Sequence, residues 1–163
     1  MKKNTLMSLL YVVLLMGLFS SYSNSQKMAL DGKIGLSFFT GTGSSTGLLL
    51  GGGLDIPFQD RSFIRPELNI TTHSGTPLEL GGKLKYILPT SPISTELYFT
   101  GGMGIWFYSG GSALGIDAGV GTLFPLSGTN LKIPAEIRSG PIFESGSSVF
   151  QIALTTGVRF NIP

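Results

Sequence analysis

From residue 31 to the end, apolar and polar residues alternate with period two, and the charges keep to one side of that alternation. Successive side chains of a strand point to opposite faces, so this period predicts β-structure rather than helix. After Met28 no stretch carries the i, i+3, i+4, i+7 spacing of an amphipathic helix. Clusters of Gly, Pro, Ser, Asn and Asp interrupt the alternation at Gly41–Ser45, Pro57–Ser62, His73–Pro77, Pro89–Pro92, Ser109–Ser112, Ser127–Asn130 and Glu144–Ser148. They leave eight strands, over 31–40, 46–56, 63–72, 78–88, 93–108, 113–126, 131–143 and 149–162. Each connection is short, so consecutive strands pair as antiparallel hairpins.

The two faces differ in kind. Ile64, Leu68 and Ile70 oppose Arg65, Glu67 and Asn69; Leu80 and Leu84 oppose Glu79, Lys83 and Lys85; Ile133 and Ile137 oppose Lys132, Glu136 and Arg138. The polar face carries Lys33, Arg65, Lys83, Lys85, Lys132, Arg138 and Arg159 against Asp55, Glu67, Glu79, Glu96, Asp117 and Glu136, seven cations to six carboxylates. Between them lie mainly Gly, Ser and Thr. Only 12% of the chain is charged, where a soluble domain carries about 25%. A solvated surface is denser in charge than this polar face, whereas the narrow lumen of an eight-stranded barrel suits small residues beside balanced charges. The predicted fold is therefore all-β: an eight-stranded antiparallel up-and-down transmembrane barrel with an apolar lipid-facing exterior and a polar, plugged lumen.

Aromatic residues gather at strand ends. Phe38, Phe39, Trp106, Phe107, Tyr108, Phe143 and Phe150 fall at one rim, and Phe58, Phe63, Tyr86, Phe124 and Phe160 at the other. Two such belts suit the two interfaces of a bilayer. Pro66, Pro134 and Pro141 lie inside the strands, where each removes a ladder hydrogen bond, and are expected to mark strand boundaries or bulges.

The first 25 residues read as a secretory signal peptide: Lys2 and Lys3, then an apolar stretch from Leu6 to Phe19, then Ser23 and Ser25 before a cut at Gln26. That apolar stretch is shorter than the roughly 20 residues a spanning helix needs. Residues 26–163 form one barrel domain. With no cysteine there is neither a disulfide nor a Cys-based metal site. The formal charge of +2 includes both leader lysines, so nothing points to nucleic acid. An even strand number puts both termini at one end, the periplasmic one.

Thr155-Thr156-Gly157-Val158-Arg159-Phe160-Asn161-Ile162 closes the chain on the pattern polar, any, Gly, any, any, hydrophobic, any, hydrophobic. With the seven amphipathic strands before it, this resembles the small outer-membrane barrel families that include OmpX-like and OmpA-like domains. The match departs at its end, where Ile162 and Pro163 replace the terminal aromatic usual in bacterial members. The resemblance implies recognition of strand 155–162 by the barrel-assembly machinery. It also implies residence among outer-membrane lipid in a Gram-negative-type bacterium, after secretion to the periplasm.

The expected role is structural or interaction-type, for a monomer of little or no conductance. A second reading is a soluble secreted or periplasmic lipocalin-like barrel around an apolar ligand. A third is a lipid A-modifying outer-membrane enzyme, since some such enzymes use a His–Ser pair with an acid. The sole histidine, His73, precedes Ser74, but neighbours on a strand point apart, and His73 reads as a solvated turn residue. Gly41-Thr42-Gly43 and Gly51-Gly52-Gly53 lack the following helix of a phosphate loop. No catalytic, cofactor-binding or metal-ligating residue is assigned, and no enzyme activity is expected.

Overall fold

A computed structural model describes residues 26–41, 44–72, 77–89, 95–144 and 146–162. Eight strands follow in order: β1 Ala29–Thr40, β2 Ser45–Gln59, β3 Ser62–Thr72, β4 Leu78–Ile87, β5 Glu96–Tyr108, β6 Gly111–Pro125, β7 Leu131–Glu144 and β8 Ser147–Asn161. Each pairs antiparallel with the next, and β8 pairs with β1 to close the barrel. The expected leader, His73, Ser74 and the first residues of the fifth predicted strand lie outside the described residues.

Closure fixes a stagger. A line of cross-strand partners followed once round the barrel climbs about ten residues, from Leu30 to Thr40 on β1, as tilted strands require. Tilt brings backbones close in places. A Cβ at Gly140 would overlap the carbonyl of Ile116, and one at Gly157 the carbonyl of Gly32.

The alternation sets the faces. Leu84 and Met103, both 60% exposed, project outward with Leu50, Leu80, Ile116, Ile137 and Leu154. Arg65, Glu67, Glu79, Lys85 and Arg138 project inward and are almost completely buried. Ordinary soluble proteins do the reverse.

Three features depart from the sequence expectation. First, β3 and β7 run unbroken through Pro66, Pro134 and Pro141. Each proline faces a gap in the ladder on one side only: Pro66 toward β2, Pro134 toward β8 and Pro141 toward β6. The Thr156 hydroxyl donates to the Pro134 carbonyl at 3.0 Å across one such gap. Second, β2 continues past Pro57 to Gln59 through a register shift, leaving only Asp60 and Arg61 in the turn. Third, the aromatic belts are thinner than expected, because Phe39, Trp106 and Phe63 turn into the lumen. Adjacent residues cannot share a face, so Phe38 beside Phe39, and Phe107 beside Trp106, face opposite ways.

Candidate functional site

The lumen is where the chain departs furthest from an ordinary core. Asp31 joins the thirteen strand charges expected inside, making seven cations and seven carboxylates. It lies two residues before Lys33 on the same face, so the alternation already pointed to it.

Two clusters divide the charges. Near the terminal end, Asp31 and Asp55 share Arg65, Lys85 and Arg159. Arg65 Nη2 donates to Asp31 at 2.5 Å, Lys85 Nζ to Asp55 at 2.9 Å, and Arg159 donates to both carboxylates. Toward the loop end, Arg138 grips Glu79 with both terminal nitrogens, at 2.7 and 3.1 Å, and reaches Asp117 at 3.3 Å. Lys83 meets Asp117 at 2.9 Å and Lys33 meets Glu67 at 2.8 Å. Arg65 links the clusters through Glu67 at 2.9 Å. Such charges are tolerable inside only when each is paired, and the bidentate fork on Glu79 is the strongest geometry available.

Neutral side chains fill the remaining space. The Tyr98 hydroxyl donates to Glu136 at 3.0 Å, and Lys85 sits 4.1 Å from the centre of the Tyr98 ring. Gly121 makes room for that ring, since a Cβ there would collide with it. Leu49 and Leu123 also point inward and are fully buried. Neither stood out in the sequence, because each sits in a run of apolar residues where parity has no contrast.

The two mouths are unlike. At the loop end Phe39, Trp106, Ala113 and Ile142 pack together, with Phe39 and Trp106 edge to face at 6.0 Å and 86°. Tyr108 and Val149 lie against them, and the gap beside Trp106, Gly115 and Gln151 is too small for a water molecule. At the terminal end the lumen opens into a vestibule of about 450 Å³ bordered by Arg61, Phe63, Glu96, Lys132 and Arg159. The interior as a whole is filled with ion pairs and the apolar face lies outside, as expected of the first reading and opposite to the alternative of a barrel around an apolar ligand.

Among the described residues no group of three His, Cys, Asp or Glu side chains could hold a metal. The interleaved cations explain this, since each carboxylate already answers a positive charge.

No protein-family model matches the chain, and no curated protein matches its sequence. Solved structures do. Neisserial surface protein A is 15% identical with a TM-score of 0.68, over 83% of this chain and 97% of that one. The N-terminal β-barrel domain of Pseudomonas aeruginosa OprF is 12% identical with a TM-score of 0.55, over 83% and 98%. The outer-membrane enzyme PagL is 13% identical with a TM-score of 0.56, over 82% and 99%. The chain thus has the closed eight-stranded fold of small outer-membrane barrels.

Proposed function

We propose that the protein is an integral outer-membrane barrel of a Gram-negative-type bacterium, with a structural or interaction role and little or no conductance. One observation carries the reading: most apolar residues of every strand project outward, while the charged ones point into the lumen and are paired. In water that arrangement would expose a wide apolar surface, whereas in a bilayer lipid covers it. Closure supports the same reading, because a spanning sheet can leave no unpaired edge. Low conductance follows from a lumen packed with paired charges and stoppered at one mouth. A monomer in contact with lipid, delivered by a leader over 1–25 and inserted through recognition of strand 155–162, completes the proposal.

Fractionation tests it: the protein should require detergent and migrate faster on a gel before heating than after. Recovery in the soluble fraction would end the membrane reading. Leu84→Arg should cost about 2–4 kcal/mol if that exposed position meets lipid at mid-depth. A lipid A-modifying activity is a separate, weaker reading; unchanged lipid A after deletion of the gene would remove it.

A further inference from the structure

The mouths differ in charge as well as in size. Of the seven lumenal pairs, the terminal-end half holds Arg65, Lys85, Lys132 and Arg159 against Asp31, Asp55 and Glu96. The loop-end half holds Lys33, Lys83 and Arg138 against Glu67, Glu79 and Asp117, while Glu136 lies between the halves, 3.8 Å from Arg65. The lumen is neutral overall, and positive charge gathers at the vestibule lining, where Lys27, Arg61, Lys132 and Arg159 accompany Glu96. Arg61 reaches Asp60 only at 4.0 Å with both side chains solvated, and Lys27 makes no ion pair among the described residues. Glu96, the one carboxylate among the described lining residues, is already held by Lys132 at 2.5 Å.

Two details go beyond a scatter of basic residues. Arg61 occupies a φ of 60°, a conformation that favours Gly or Asn, and its carbonyl accepts from Ile87 N–H at 2.8 Å. The turn is tied beneath β4 and carries a cation where a neutral residue would sit more easily. Arg159, 3% exposed, lines the cavity with its Nη1 shared between Asp31 and Asp55, and its buried Nε has no hydrogen-bond partner among the described residues. The Phe63 ring lies 5.8 Å from its guanidinium and offers an apolar contact.

We infer that the vestibule is a binding site for a small anionic molecule, whose carboxylate or phosphate is held by Arg61, Lys27 and Arg159 and whose body rests against Phe63 and Leu88. An excess of positive charge at the mouth of a low-dielectric channel attracts and concentrates such a ligand. That the ligand comes from the periplasm rests on the membrane reading above; the binding itself does not.

The test is a titration of the purified protein in a maltoside detergent, whose headgroup carries no competing phosphate. Sodium phosphate and sodium glutarate are added separately at constant ionic strength, and arginine side-chain resonances are followed. Saturable shifts at Arg61 and Arg159, with Arg138 unmoved, are expected. Saturation by phosphate alone points to a phosphorylated ligand, and by glutarate alone to a carboxylate. Arg61→Asn removes the charge while suiting the turn, and should weaken binding about fivefold; Glu96→Gln should strengthen it about threefold. Shifts that rise without saturating to about 50 mM, or an affinity unchanged in Arg61→Asn, would overturn the inference. Either outcome leaves the membrane reading to fractionation, so the two fail separately.

Discussion

The two ends of the lumen close the same tube by different physics. At the loop end Phe39, Trp106, Ala113 and Ile142 pack into an aromatic and aliphatic plug, and the gap beside Trp106 has no room for a water molecule. At the terminal end Lys132 and Glu96 meet in partly solvated surroundings, and the lumen widens to about 450 Å³. Between them the ions are dry and locked. The difference teaches that one lumen can be filled by apolar packing at one end and by paired ions beneath an open vestibule at the other.

The comparison can be broken at three depths. Arg138→Met, between the mouths, should have the largest effect. It strands Glu79 without its cation and leaves Asp117 to Lys83 alone, and about 3–5 kcal/mol of stability should be lost in urea unfolding from vesicles. A near-neutral result would mean that water reaches these carboxylates and that the middle of the lumen is not dry. Trp106→Ala, at the loop end, should cost about 3 kcal/mol through the cavity it leaves. It should also raise the ion current across a planar bilayer above that of the parent. A silent Trp106→Ala barrel would place the barrier in the ion network and not in the plug. Lys132→Gln should have the smallest effect, below about 1 kcal/mol, because its pair with Glu96 is partly solvated. A loss matching that of Arg138→Met would show that the terminal end is as dry as the middle of the lumen.

Much of this was legible in particular residues. Arg65 with Glu67, and Lys132 with Glu136 and Arg138, share parity within their strands, and that alone separates lumen from exterior. Pro66, Pro134 and Pro141 misled, because a proline deprives only one neighbouring strand of a hydrogen bond and the other ladder holds. Phe39 and Trp106 were legible as rim residues but not as a plug, since Phe39 on β1 meets Trp106 on β5 only across the closed lumen. Arg61 carried no signal, because a left-handed conformation at an arginine appears only once the turn is built.

The amino-acid order by itself determined the faces, the number of strands and the side on which the charges lie, because alternation is a local property with a period of two. Only the tertiary structure decided which charges meet, and that one mouth is apolar and the other basic. Those outcomes depend on the stagger with which β8 closes on β1, which sets the height of every lumenal side chain relative to those across the barrel.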